Sequence, residues 1–339
     1  MRAVLIINPV SGDAEPNSDK VPVIERLLQA AGWSLEVAYT SEQRKASQLA
    51  REAVSRGVEF VLVGGGDGTV SEVAREVARS STTLGILPIG TFNNIARSLA
   101  IPTELEEACG IIAQGKVRAM DLGVANGTDY FFEAAGTGLD ATLFPIGEEI
   151  KGGRWTRVFQ AARLTFQYKV QPIAITFDRP VGEALAPGSR VRLPRRVRES
   201  RTIYRNALLV VVANGPYYGG GFNVSPNARM SDGRLTVSIY RNFSKVELIR
   251  HFWAIAYGRH RYSPKIESYF AKEVRLDSPV LLPVHVDGQP YGQLPINLST
   301  IPGALKVLAP ARSTPRAGDA VALPGESAVK PGEVGSHAA

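Results

Sequence analysis

A parallel α/β first part followed by a mostly antiparallel, β-rich second part is the architecture that three observations predict. Strand-length apolar runs alternate with amphipathic helical patterns as far as residue 123, the rhythm of βαβ units. Three of those strands run into polar, glycine-bearing turns at residues 8–12, 64–69 and 90–94. After Met120-Asp121-Leu122-Gly123 the rhythm changes to short apolar runs between Gly and Pro turns. The expected divisions are 1–123, 124–309 and a tail, 310–339, whose Pro, Gly, Ala and Ser content predicts disorder. Parallel sheets bind ligands beyond the carboxyl ends of their strands, so three turns at such ends point to one shared site.

Residues 3–8 read as a buried strand and 9–12 as the turn after it. Over 21–31, Val23, Ile24, Leu27 and Leu28 fall on one helical face, and Gly32 stops the helix. A strand over 33–40 and a helix over 41–55, ended by Gly57, come next. Phe60-Val61-Leu62-Val63 leads into Gly64-Gly65-Gly66-Asp67-Gly68-Thr69, after which apolar residues recur at helical spacing over 71–78. The strand at 84–88 passes through Ile89-Gly90-Thr91-Phe92-Asn93-Asn94 into a helical stretch at 95–99. In the second part, strands are predicted over 130–136, 173–177, 203–213, 234–240 and 280–286, with helices over 154–168 and 245–257.

The stretch 60–70 organises the first part. Glycines let bare backbone N–H groups approach a ligand, and a helix start adds partial positive charge, so this turn suits phosphate. Asp67 complicates that reading, because an anion beside phosphate repels it. The conflict disappears if a divalent cation lies between them, or if Asp67 holds an N–H of the cradling turn itself or a water. A glycine-rich loop that merely closes an α/β crossover is the plainer alternative. The pattern is not the dinucleotide G-x-G-x-x-G, and no Gly-Lys-Ser/Thr follows to make a P-loop. A lookalike, Gly110-Ile111-Ile112-Ala113-Gln114-Gly115-Lys116-Val117, ends in valine and reads as a helix stopped by Gly115.

Composition narrows the function classes. The chain has 339 residues, enough for two domains, and its 44% apolar content is ample for buried cores. A single cysteine, Cys109, excludes a disulfide framework and a cysteine-rich zinc site, and four scattered histidines argue against a histidine metal site. The apolar run at 3–7 is too short for a signal peptide, and nowhere do 18 apolar residues run together. The expected location is the cytoplasm or the inner membrane face. Of the formal charge of +7, the segment 190–205 carries +6, with seven arginines against Glu199. That cluster suits an anionic membrane surface, or is simply a solvated loop. Tyr204 is its one aromatic residue, which argues against nucleic acid.

Several signatures now stand together: Asn8-Pro9-Val10-Ser11-Gly12, Gly65-Gly66-Asp67-Gly68-Thr69 and Pro88-Ile89-Gly90-Thr91-Phe92-Asn93-Asn94-Ile95-Ala96-Arg97. Later come Gly215-Pro216-Tyr217-Tyr218-Gly219-Gly220-Gly221-Phe222, Met230-Ser231-Asp232-Gly233 and Val286-Asp287-Gly288-Gln289. Over about residues 1–309 the chain resembles the diacylglycerol kinase catalytic family, specifically its bacterial soluble lipid kinases. The Gly-Gly-Asp-Gly core is shared with NAD kinases and phosphofructokinases, whereas the tyrosine–glycine run and the late Asp-Gly turns are specific to the lipid branch.

The resemblance implies a nucleotide-binding kinase domain over 1–123 and a lipid-substrate domain over 124–309, with ATP in the cleft between them. The γ-phosphoryl group would pass to a lipid hydroxyl such as that of diacylglycerol, with Mg2+ as cofactor. By resemblance, Asn8, Ser11, Thr40, Gly65, Gly66, Asp67, Gly68, Thr69, Thr91 and Asn93 would hold nucleotide. Asn93 and Asp121 would complete a metal-linked network near Asp67. Asp232 matches the family's structural metal position, aided by the Arg229 and Arg234 carbonyls. Strand-end capping by Thr40 and Asp121, and an ordinary hairpin turn at Asp232, are the plainer alternatives. The implied partners are lipid and an anionic membrane, not nucleic acid, and a homodimer stays open.

Two departures bear on activity. The family commonly has Asn-Asp where this chain has Asn93-Asn94, so one carboxylate is missing from the metal network. Its late motif usually reads Asp-Gly-Glu, the Glu being taken as base, where this chain has Asp287-Gly288-Gln289. An amide accepts no proton, so the base is Asp287 or there is none. Positioning and charge dominate phosphoryl transfer, so turnover does not require one. A nucleotide- or lipid-binding homologue with impaired catalysis is therefore the alternative function, and an NAD kinase a more distant one.

Overall fold

The computed structural model describes residues 1–10, 17–143, 157–187, 189, 191–241, 243–244, 246–247, 250 and 265–310. Ser11, Arg190, the tail after residue 310 and most of the predicted helix at 245–257 lie outside the described residues.

The first part alternates as expected. Its elements are β1 (Arg2–Ile7), α1 (Val21–Ala30), β2 (Ser34–Tyr39), α2 (Ala46–Ser55), β3 (Phe60–Gly65), α3 (Asp67–Val77) and β4 (Thr83–Pro88). A short α4 (Asn94–Ser98) and α5 (Leu105–Gln114) follow. β1 pairs in parallel with β2 and β3, and β3 with β4. Every residue of β3 and β4 is buried, the mark of central parallel strands covered on both faces. α1 packs on α5 and α2 on α3. The lookalike at 110–117 is the end of α5, with Gly115 in the left-handed conformation at φ 63° as its C-cap.

The second part is antiparallel. It comprises β5 (Val117–Ala125), β6 (Asp129–Phe131), β7 (Ala134–Gly138), α6 (Arg157–Gln167), β8 (Gln171–Phe177), α7 (Val181–Ala184), α8 (Arg195–Glu199) and β9 (Thr202–Ala213). The hairpin β10 (Tyr217–Tyr218) and β11 (Phe222–Asn223) follows, then β12 (Leu235–Arg241), β13 (Ile266–Ala271) and β14 (Glu273–Asp277). Last come β15 (Pro283–Val286), β16 (Gln289–Gln293) and β17 (Ile296–Leu308). β9 is the hub, pairing with β7, β8 and β12. Its residues 207–213 are buried, and from Leu209 to Ala213 alternate ones enter two different apolar clusters.

β17 joins the two parts. Its C-terminal end pairs in parallel with β4, its N-terminal half pairs with β14, and β5 runs antiparallel along it. The register slips between Ile301 and Leu305, where Pro302 and Gly303 interrupt the strand. Such an interruption reads as a turn in the sequence, and β17 was not among the predicted strands. Among the described residues no helix is long and apolar enough to cross a membrane.

Candidate active site

The turns after β1, β3 and β4 meet. The Asn8 amide donates to Thr69 Oγ1 at 3.0 Å, and the Asn8 N–H to the Gly64 carbonyl at 3.0 Å. A Cβ on Gly90 would overlap the Gly66 Cα, so the second and third turns touch backbone to backbone, and glycine is required there. Gly68 differs: among the described residues, its chain neighbours and own helix backbone aside, no atom comes within 4 Å of where its Cβ would be. Internal packing therefore does not explain that glycine, while a ligand lying on the backbone would. Thr91 is exposed, and Thr40 closes β2 with its N–H on the Ile7 carbonyl at 2.9 Å.

α3 begins at Asp67, four residues earlier than the apolar periodicity suggests. Asp67 Oδ1 accepts the Ile95 N–H at 3.0 Å, so its carboxylate sits on the first turn of α4. Burial is the main reason its pKa is raised, opposed by that backbone bond and by the charge of Arg97. Asn93 stands in the left-handed conformation at φ 52°. Its side chain staples its own turn, donating to the Gly90 and Pro88 carbonyls and accepting the Gly90 N–H. Asn93 thus shapes the loop that a ligand would touch.

Across the cleft lies Glu133, between β6 and β7, which was not among the predicted site residues. It is 6% exposed, and its Oε2 accepts from the Asn94 amide at 3.0 Å and from the Gly219 N–H at 3.3 Å. The Asn94 amide nitrogen also donates to the Gly219 carbonyl at 3.0 Å. Burial pushes Glu133 well above the usual carboxylate range, and the charges of Asp67 and Asp287 add to it. A lone Glu after an aromatic pair carries no motif, so only the fold brings it here.

The Val286–Gln289 turn is a two-residue hairpin with Asp287 at φ 48° and Gly288 at φ 76°, joining β15 to β16. Asp287 Oδ1 accepts the N–H groups of Glu133 (2.9 Å) and Ala134 (3.2 Å), and Oδ2 accepts that of Phe132 (2.9 Å). Arg75 of α3 lies 3.8 Å from Oδ2, and its guanidinium stacks 5.4 Å from the Phe132 ring. Burial raises the Asp287 pKa while those donors and Arg75 lower it. With both oxygens engaged by backbone, Asp287 clamps the β6–β7 link. Gln289 is exposed at the start of β16.

The residues expected to hold metal gather at a different place. Asp121 of β5 is buried, its Oδ2 accepting the Gly233 N–H at 2.7 Å and its Oδ1 the Gly303 N–H at 2.8 Å. It thereby ties the Asp232-Gly233 turn to the interruption in β17. Asp232 accepts the Arg234 N–H (3.2 Å) and guanidinium (3.1 Å), a local turn bond. Arg229 lines a small cavity with Ser98, Met120 and Pro226. No group of three or more His, Cys, Asp or Glu suited to a metal ion occurs among the described residues. A single oxygen donor is present nearer the turns: Asn94 Oδ1 is buried without a hydrogen-bond partner, on the amide whose nitrogen bonds Glu133. Such hard oxygen donors fit a divalent cation that completes its shell with phosphate and water.

The fold is a parallel α/β part followed by an antiparallel, β-rich part, with the candidate site at the carboxyl ends of the parallel strands, and comparison with known proteins supplies the family. Residues 2–125 match the diacylglycerol kinase catalytic domain, and residues 162–309 match the YegS C-terminal NAD kinase beta sandwich-like domain. A diacylglycerol kinase of Mycobacterium tuberculosis is 30% identical over 317 residues, covering 91% of this chain and 95% of the relative. One of Staphylococcus carnosus is 27% identical over 312 residues, with coverage of 91% and 95%. The crystal structure of a diacylglycerol kinase from Bacillus anthracis str. Sterne shares the fold, with a TM-score of 0.67, 22% identity and coverage of 91% and 97%. The chain belongs to the diacylglycerol kinase family.

Proposed function

We propose that this protein is an ATP- and Mg2+-dependent lipid kinase that transfers the γ-phosphoryl group to a lipid hydroxyl such as that of diacylglycerol. The observation that carries this reading is the meeting of three turns, at Asn8–Thr69, Gly66–Gly90 and Asp67–Ile95, with open space over Gly68 among the described residues. Backbone N–H groups of the turn after β3 and the hydroxyls of Thr69 and Thr91 suit phosphate oxygens. Asp67 and the Asn94 carbonyl would hold Mg2+, which when bound neutralises charge on the transferred group. Asn93 keeps the Gly90 loop in shape for the same ligand, and Arg75 with Asp287 holds the β15–β16 hairpin against α3. Pure protein incubated with labelled ATP, Mg2+, a lipid panel and NAD tests the reading. Labelled phospholipid is the expected product. NADP would assign the chain to NAD kinases instead, and nucleotide binding with no product would make it the impaired homologue.

Gln289 bears on how the hydroxyl proton leaves. With Asp287 committed to three N–H groups, the hairpin presents no uncommitted carboxylate at its turn. Gln289→Glu should therefore raise turnover, by up to about 100-fold, the low end of general-base catalysis. An unchanged rate would show that positioning and charge suffice at this turn.

The basic segment supports attachment to anionic lipid in a reduced form. Arg205 is turned inward, its Nε 3.0 Å from buried Glu267, and Arg195 pairs with Glu199 at 2.7 Å. Arg192, Arg195, Arg196, Arg198 and Arg201 remain exposed. Each cation near such a surface contributes on the order of 1 kcal/mol, and salt screens it. Replacing Arg192, Arg195, Arg196 and Arg198 together with Ser should weaken binding to anionic vesicles at low salt. Equal binding before and after means that the segment is only solvated.

A further inference from the structure

The hairpin β10–β11 follows β9 of the second part in the chain, yet it stands apart from the main sheet as a two-stranded sheet of its own. β10 packs on α4, an element of the first part. Two side chains of α4 hold the glycine turn of the hairpin by its backbone. The Asn94 amide donates to the Gly219 carbonyl and Arg97 Nη1 to the Gly221 carbonyl, each at 3.0 Å. The Arg97 guanidinium also lies over the Tyr217 ring, 4.1 Å from its centroid. Gly219 and Gly221 are left-handed, at φ 65° and 81°, which is why glycine makes this turn. The other side of the hairpin is tied to the second part. Besides the Gly219 N–H on Glu133, the Tyr218 hydroxyl donates to Asp140 Oδ2 at 3.1 Å, and His285 Nε2 lies 3.1 Å from the same oxygen. The Tyr218 and His285 rings stack 5.6 Å apart with 3° between their planes. His285 belongs to β15, and the first turn of α4 is where Asp67 accepts the Ile95 N–H. Direct contacts therefore run from the turn after β3, through α4 and the hairpin, to β15.

We propose that Arg97 is a positioning residue that latches the β10–β11 hairpin onto α4, so that a ligand at the turn after β3 tightens the hairpin and, through Tyr218, the Asp140–His285 pair. The inference rests on the reading of that turn as a nucleotide site. α4 has five residues, so few hydrogen bonds of its own fix it, and its order depends on what holds its ends and side chains. A ligand that orders the first turn of α4 lowers the entropy cost of ordering what Arg97 grips, which couples the two places without any backbone shift. Arginine suits the task because one planar fork can donate to a carbonyl while its face covers a ring. A lysine ammonium is a compact point charge that cannot do both.

The probe is Mg2+ with a non-hydrolysable ATP analogue. The readouts are amide hydrogen exchange over residues 219–222 and the imidazole NMR signal of His285, identified by its loss in His285→Gln. Binding to the unaltered protein should slow exchange in the hairpin by about 10-fold, within the range usual for coupled sites, and shift the His285 signal. Arg97→Lys keeps a positive charge in the region of Asp67, so the analogue should still bind while most of the slowing is lost. Tyr217→Leu removes the ring from the other side of the same contact and should act alike, which covers the case that Arg97→Lys does not fold. Tyr218→Phe keeps the contacts to α4 but lacks the hydroxyl on Asp140, so the slowing should persist while the His285 shift diminishes. A bracket with a purely structural role would protect the hairpin equally with and without the analogue. Binding with unchanged hairpin exchange, or full slowing in both Arg97→Lys and Tyr217→Leu, overturns this inference alone. No binding of the analogue overturns the nucleotide reading and this inference with it.

Discussion

Asp67→Asn should lower phosphoryl transfer by about 100-fold or more while making the protein more resistant to heat at neutral pH. The loss follows from the place of Asp67 between the turn after β3 and the first turn of α4. The gain follows from burial, the largest cause of its raised pKa. A carboxyl whose pKa is higher folded than unfolded keeps its proton after the unfolded chain has lost it. Its contribution is fully present below the unfolded pKa of about 4 and declines as pH rises through the folded value. An asparagine has no such decline, and its carbonyl still accepts the Ile95 N–H. Melts at several pH values should show the variant's advantage at pH 7 shrinking toward pH 4, with transfer assayed in parallel. Full turnover with ordinary Mg2+ dependence would remove Asp67 from the site.

Asp287→Ala should destabilise the fold by roughly 2–5 kcal/mol, because three backbone N–H groups around a buried carboxylate lose their acceptor. Arg75 loses its 3.8 Å partner as well, loosening α3 from the hairpin. Asp287→Asn isolates the cause. Asparagine is at home in a left-handed hairpin position, and its carbonyl can accept two of the three N–H groups, so the loss should be smaller. For a clamp, turnover and stability decline together across Ala and Asn, and the pH profile of turnover keeps its shape. A proton acceptor would behave otherwise: Asp287→Asn would abolish turnover in a protein that melts normally. Denaturant unfolding set beside pH–rate profiles separates the two roles.

How much of the site was legible depended on whether a residue's partners lie nearby in sequence. The turns at 8–12, 64–69 and 90–94 declare themselves, because glycine and polar residues after an apolar strand are a local signal. Their meeting also follows, since parallel strands bring their carboxyl ends together. Thr69 and Gly66 met Asn8 and Gly90 accordingly. The roles of single polar side chains did not follow in this way. Asn93 staples its own loop, and the buried Asp121 carboxylate spans 112 residues to Gly233 and 182 to Gly303. Nothing near Asp121 in sequence announces either partner.

The sequence alone determined the α/β-then-antiparallel order, the three polar turns at the strand ends and the family, all of which rest on periodicity, glycine placement and local motifs. The tertiary structure decided which carboxylates are available and which are spent on backbone. Asp287 lies 153–155 residues from the N–H groups it clamps, and Glu133 lies 39 from Asn94 and 86 from Gly219. β17 likewise became visible only in the sheet, where β4, β5 and β14 pair along an interrupted strand. The physical reason is the same in each case. A side chain's charge and type are local properties, but burial and hydrogen-bond partners come from whatever the folded chain packs against it.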